Sequence, residues 1–308
     1  MAAQGSKLVI YAALAGNGLI AITKFAAAGY TGSSAMFSEA IHSVVDTGNQ
    51  GLLLYGLHRA NRPPDQKHPF GYGGEVYFWS FVVAILLFAV GSGFSLYEGV
   101  LKVMDPHPVT NVFVSYLVLG GAIVFEAGAW IVAAREFNKT RKGRPILRTV
   151  LEAKDPSIIT VLLEDSAAML GLIAALVGIW LGQVTGNPVY DGAASIVIGV
   201  ILAMAAIFLA IETKGLLIGE AAHPEVTAAL EGIIADQASV AQINEILTMH
   251  VGPSDVLVNA SLDFKDSVDS VEIERAVTEI EAKIKQAYPR VTRIFIEAQN
   301  WQEHERTI

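Results

Sequence analysis

The sequence predicts an α-helical membrane protein of six transmembrane helices followed by a soluble α+β domain. Three observations carry that prediction. Six apolar stretches are each long enough to cross a ~30 Å hydrocarbon core as helix. The charge is segregated: residues 213–308 hold 8 Lys plus Arg against 16 Asp plus Glu, whereas residues 1–212 hold 13 against 14. Beyond residue 213 the long apolar runs give way to short amphipathic ones.

The six stretches run roughly over 8–28, 34–57, 76–99, 112–134, 158–182 and 189–211. The first follows Lys7 as a signal peptide would, but it outlasts the ~7–15 apolar residues of such a leader, so it reads as a retained span. Turn-forming residues punctuate the chain between spans: Gly29 to Gly32, Pro63 with Pro64, Pro106 with Pro108, Pro145 with Pro156, and Gly186 with Pro188. Lys and Arg concentrate in the loops after spans 2 and 4 (Arg59, Arg62 and Lys67; Arg135, Lys139, Arg141, Lys142, Arg144, Arg148 and Lys154). The opposite side offers only Lys102. Positive loops stay cytoplasmic, so both termini are expected there, with the membrane itself unspecified.

The expected domains are 1–212 in the membrane and 213–308 outside it. The second reads as α-β-β-α-β, with helices near 224–237 and 268–287 and strands over 243–251, Val256 to Phe264 and 292–298. A small split sheet backed by two helices is the simplest packing.

Cysteine is absent, which excludes disulfides and thiolate metal clusters and leaves His and carboxylates as the strong ligands. A net charge of −9 argues against a nucleic-acid partner, which needs a basic face to displace counterions from phosphate. Lipid is the partner that the apolar runs demand.

Ionisable residues inside a span cost about 2.5–3.5 kcal/mol at mid-helix, so their placement is informative. In span 2, Glu39, His42, Asp46 and Asn49 recur at helical spacing on one face, with His42 and Asp46 one turn apart and able to hold the same ion. Span 5 adds adjacent Glu164 and Asp165, about 100° apart around the helix, so one of the two is expected to aim at span 2. An imidazole with two or three carboxylates suits a borderline divalent ion. The plainer alternative is polar glue between helices, which does not require ionisable groups. Lys24 can snorkel or pair with a carboxylate, Asp191 can serve a helix N-terminus, and Glu126 either lines an ion pathway or pairs with Lys24.

Four segments carry a resemblance: Thr31-Gly-Ser-Ser-Ala35 leading into His42-Ser-Val-Val-Asp46; Arg62-Pro-Pro-Asp-Gln-Lys-His-Pro-Phe-Gly-Tyr-Gly73; Glu164-Asp-Ser-Ala-Ala168; and Asp191-Gly-Ala-Ala-Ser195. Together they resemble the cation diffusion facilitator family over essentially the whole chain. Glu-Asp-Ser-Ala-Ala and Tyr77-Phe-Trp-Ser80 are most similar to the branch containing mitochondrial zinc transporters. The resemblance implies a homodimeric antiporter with a ferredoxin-like cytoplasmic domain. It would export zinc or a similar divalent ion in exchange for protons, with no catalytic cofactor. It also implies paired ligands on spans 2 and 5: His42 and Asp46 on the first, and Asp165 as the second ligand of the other.

The remaining ligand position falls on Val161, which cannot bind metal, so either Glu164 replaces it or water completes the shell. That oxygen-rich set admits Mn, Fe or Co beside zinc. Asp65 and His68 stand where some family members hold a second ion, with Tyr72 replacing a further His; a capped turn is the competing account. His250 and Glu297, with His223 and His304, are candidates for a C-terminal metal site. Two other functions fit parts of the pattern: a membrane-embedded metal-dependent hydrolase, for which no nucleophile motif is present, and a metal sensor or scaffold that transports nothing.

Overall fold

A computed structural model describes residues 2–141, 145 and 156–307. It divides into two compact units, Met1–His58 with Phe78–Lys214, and Arg59–Tyr77 with Gly215–Ile308. Lys142, Arg144, Arg148 and Lys154, which contribute to the expected cytoplasmic orientation, lie outside the described residues.

The first unit is built from long helices: α1 (Ala2–Thr31), α2 (Ser34–Ala60), α3 (Glu75–Leu86) running through a π-helical turn (Leu87–Ser92) into α4 (Gly93–Met104), α5 (Val112–Arg141), α6 (Pro156–Thr185) and α7 (Val189–Ile218). Among the described residues, Glu75–Met104, Val112–Arg135, Ile159–Thr185 and Val189–Ile218 are long and apolar enough to cross a membrane. Helices α1 and α2 are of similar length, and in α2 polar residues interrupt the apolar run. Met36, Leu87, Leu119, Leu172, Ile198 and Leu202 form the fully buried centre of this unit. The outward faces remain apolar: Phe113 and Val124 on α5 are each 76% exposed, a surface that lipid tolerates and water does not.

Helix α4 meets α7 backbone to backbone. A Cβ on Gly99 would lie 2.7 Å from the Ile196 backbone nitrogen, so only glycine permits that approach. At the start of α7, Asp191 accepts hydrogen bonds from Ser34 N (2.8 Å), Ser34 Oγ (3.1 Å) and Ser33 Oγ (2.6 Å). Its carboxylate thereby satisfies the N-terminus of α2, a different helix from its own. One turn deeper, the Ser38 and Ser195 hydroxyls pair at 2.6 Å. These contacts fix the height of α2 against α7.

The second unit has the order α8 (Pro224–Ala235), β1 (Val240–Gly252), β2 (Asp255–Phe264), α9 (Ser270–Ala287), β3 (Val291–Ala298) and α10 (Trp301–Thr307). The three strands form one sheet in the order β1-β2-β3, antiparallel then parallel. The parallel pair requires a crossover, which α9 supplies. Val258, Ala260 and Leu262 point to the face covered by Leu230 and Ile234 of α8 and Ile280 and Ile284 of α9. Asp269 caps α9 through Glu272 N at 2.9 Å, and His223 Nδ1 accepts from Glu225 N at the start of α8.

The 59–77 segment belongs to this second unit. Arg293 Nη2 donates to Pro69 O at 3.0 Å and its guanidinium lies over the Phe70 ring, which in turn meets Phe295 edge-on. Gly73 and Gly252 approach so closely that a Cβ on Gly73 would sit 2.8 Å from Gly252 Cα.

Candidate metal site

In the second unit, Asp65 organises a tight turn. Its Oδ1 accepts from Lys67 N (2.9 Å) and His68 N (2.7 Å), and Tyr72 donates its hydroxyl to Oδ2 at 2.7 Å. His68 Nδ1 lies 3.7 Å from Asp65 Oδ1, and its ring packs on Tyr72 with centroids 4.3 Å apart. The Tyr72 hydrogen bond, followed by the His68 amide, holds the Asp65 carboxyl below its ordinary range. Because the folded-state value is depressed, the turn's stabilisation is present above the ordinary carboxylate range and lost as pH falls through the folded value. The Lys67 and His68 amides are therefore expected to keep hydrogen-exchange protection at neutral pH and lose it in strong acid; Asp65→Ala loses it at neutral pH. Protection unchanged in that variant would remove Asp65 from the turn.

Of the C-terminal candidates, His250 and Glu297 are held apart by the sheet. His250 pairs with Val256 across β1 and β2, whereas Glu297 pairs with Ser261 across β2 and β3, five residues or about 16 Å along the sheet. His223 is used as a helix cap, and His304 Nδ1 lies 2.9 Å from Gln299 Oε1.

The first unit holds the groups expected inside the membrane. On α2, His42 is 1% exposed and its Nδ1 lies 3.3 Å from Asp46 Oδ1, as one-turn spacing requires. Neither imidazole nitrogen nor Asp46 Oδ1 makes a hydrogen bond, so three polar atoms are buried with their bonding capacity unspent. Across from them on α6, Glu164 Oε1 accepts from Asn49 Nδ2 at 2.6 Å. Asp46, Glu164 and Asp165 line one cavity with Glu126, Val161, Asn17, Ser43 and Gln50.

Four carboxyl groups from three helices thus surround one small space, and they require positive charge to offset them. Both Glu164 and Asp165 reach this space, although sequence spacing favoured one of them. Val161 lines it too, as the apolar residue at the position where a ligand was expected. Glu126 belongs to the cavity wall; Lys24 pairs with Glu39 instead, donating to its Oε2 (3.1 Å) and to the cavity-lining Ser43 Oγ (2.8 Å) with no exposed surface. Ser43 and Gln50 also line the cavity without having been singled out from the sequence. Uncharged polar residues cost little inside a span and so give a weak signal. Asn17 Nδ2 donates to Gln50 Oε1 at 3.0 Å. No three His, Cys, Asp or Glu side chains converge as a finished metal shell among the described residues.

Residues 10–218 match the family model for the cation efflux transmembrane domain, more than half of the chain. The chain belongs to the cation efflux family. This family membership sets it among transporters and apart from enzymes. The human "Proton-coupled zinc antiporter SLC30A9, mitochondrial" is 37% identical over 267 residues, covering 86% of this chain and 47% of that protein. "Metal tolerance protein C4" of Arabidopsis thaliana is 32% identical over 263 residues, covering 85% and 58%. The magnetosome protein MamB of Magnetospira sp. (strain QH-2) is 24% identical over 257 residues, covering 82% and 83%. The chain thus spans about half the length of the zinc antiporter and somewhat more of the plant protein.

Proposed function

We propose that this cation efflux chain exports a divalent transition-metal ion from the cytoplasm in exchange for protons, with zinc the favoured cargo and Mn, Fe or Co admissible. The observation that carries this reading is the carboxyl-lined cavity between α2 and α6, with Asp46 on one wall, Glu164 and Asp165 on the other, and His42 behind Asp46 at 3.3 Å on the same helix. The names of the human and plant relatives support zinc and metal tolerance, respectively. His42 would supply the nitrogen ligand that suits zinc, while Asp46, Asp165 and Glu164 supply oxygens.

Metal binds the deprotonated carboxylates and the neutral imidazole, so protons and cargo compete for the same atoms. A carrier that exposes those atoms alternately to each side converts this competition into exchange. In this reading, α1 and α2 join the four apolar helices to make six spans, and both termini face the cytoplasm. Residues 1–212 form the transport domain and residues 213–308 a ferredoxin-like regulatory domain that pairs two copies into a homodimer. The α-β-β-α-β order around one mixed sheet supports that domain's fold. Asp65 with His68, and His250 with Glu297, remain secondary candidates: the first pair is close in space, whereas the second would need ligands from elsewhere.

Sealed proteoliposomes test the exchange. Zinc flux is expected to accelerate under an opposed proton gradient, to acidify or alkalinise the lumen in the matching direction, and to fall at acidic pH as the ligands protonate. Zinc flux indifferent to an imposed gradient, with no proton movement, would replace exchange by uniport.

A further inference from the structure

The bond from Asn49 to Glu164 does more than join two helices. Asn49 is 1% exposed and Glu164 3% exposed, and the 2.6 Å contact engages Oε1 specifically. Asn49 follows His42 by seven residues and Asp46 by three, so it lies about 20° and 60° from them around the same helix. The amide therefore ties Glu164 to the α2 face that bears the other candidate ligands. Its donor is neutral: it orients the carboxylate without cancelling its charge, as an arginine or lysine in that place would. The Oδ1 atom of Asn49 is buried without a hydrogen-bond partner, so the side chain is held in this orientation by the Glu164 bond alone among the described contacts.

We propose that Asn49 is a specificity-determining positioning residue that forces Glu164 to meet the cargo ion through one oxygen. The amide hydrogen bond occupies one lone pair of Oε1 and fixes the plane of the carboxylate, so that Oε2 is the oxygen not engaged by the donor, whereas an untethered carboxylate can rotate to chelate through both. Single-oxygen ligation keeps the coordination number low, which suits the tetrahedral preference of zinc; two-oxygen ligation suits larger ions that accept six or more oxygens. Val161 gives this control its importance. With no side-chain ligand at that position, Glu164 is the group on α6 free to complete the shell beside Asp165, and its denticity decides how many oxygens the ion sees.

This inference rests on the proposed transport site, and its test separates the two. The full chain in detergent is titrated with zinc and with manganese, and the zinc-loaded protein is examined by X-ray absorption. In Asn49→Leu, which preserves side-chain size, zinc affinity is expected to fall by about 10- to 100-fold, the usual effect of removing a residue that orients a ligand. Manganese binding is expected to change less, and the zinc shell to gain an oxygen. If that variant does not fold, Asn49→Thr carries the same readouts. Asp46→Ala is the reference. Weakened binding in Asp46→Ala, with an unchanged zinc-to-manganese ratio and an unchanged shell in the Asn49 variant, overturns this inference alone. Wild-type binding in Asp46→Ala places the ion elsewhere and overturns both.

Discussion

Replacing Asp46 or Asp165 by alanine is expected to reduce metal flux in sealed vesicles to background while leaving the helical bundle folded. Both carboxylates line the cavity between α2 and α6, and among the described residues neither is held by a hydrogen bond or ion pair to a neighbouring helix in the way that Glu39 and Glu164 are. Asp46 faces His42 at 3.3 Å on its own helix, and that contact lacks hydrogen-bond geometry. On the proposed transport site, removing either group therefore takes a ligand from the ion without breaking a hydrogen bond between helices. Relieving the repulsion among Asp46, Glu126, Glu164 and Asp165 offsets some of the lost packing, so thermal stability should hold or rise. Normal flux in either variant, in vesicles where the unaltered protein is active, would remove that residue from the transport path.

The buried pair between Lys24 and Glu39 is expected to give the largest effect on stability. Both side chains have no exposed surface, and Glu39 Oε1 lies against Gly171, where an added Cβ would come within 2.3 Å of it. Lys24→Met leaves Glu39 without its cation in an apolar surrounding, and Glu39→Leu does the converse to Lys24; each should cost about 3–5 kcal/mol. The double variant Lys24→Met with Glu39→Leu should recover most of that loss, because two apolar side chains need no partner. Reversible unfolding in detergent would measure all three. Additive losses in the double variant would show that the residues act separately and that their 3.1 Å contact contributes no coupling.

The parts of this architecture that were legible in the sequence are those set by local pattern. Apolar length located the spans between 76 and 211, because a membrane imposes its thickness on any helix that crosses it. The π-helical turn at Leu87–Ser92 left no trace, since nothing in that apolar run distinguishes one backbone hydrogen-bond register from another. Alternation from Val256 to Phe264 placed β2, and the stripe through Val271, Ile273, Val277, Ile280 and Ile284 placed α9, although Val271 lies exposed. Helix α10 was missed because its sequence, Trp301 to Thr307, carries no such stripe.

At the site the same division holds. Spacing alone put His42, Asp46 and Asn49 on one face of α2, but the partner of each polar group depended on packing between helices. Spacing did not tell which acid Lys24 would meet, and its choice of Glu39 over Glu126 follows from how α1 meets α2. The tie between Asn49 and Glu164 spans 115 residues and could not be read from either segment. The separation of His250 from Glu297 likewise depends on strand register, which their segments do not reveal.

Whether one ion binds between α2 and α6, as proposed, is decided by anomalous scattering at the zinc absorption edge from the zinc-loaded protein. The expected result is a zinc peak between α2 and α6 at about 2.0–2.2 Å from a His42 nitrogen and from carboxylate oxygens of Asp46, Asp165 and Glu164. Zinc found only at the Asp65 turn or in the C-terminal domain, with that space empty under conditions that support flux, would contradict it.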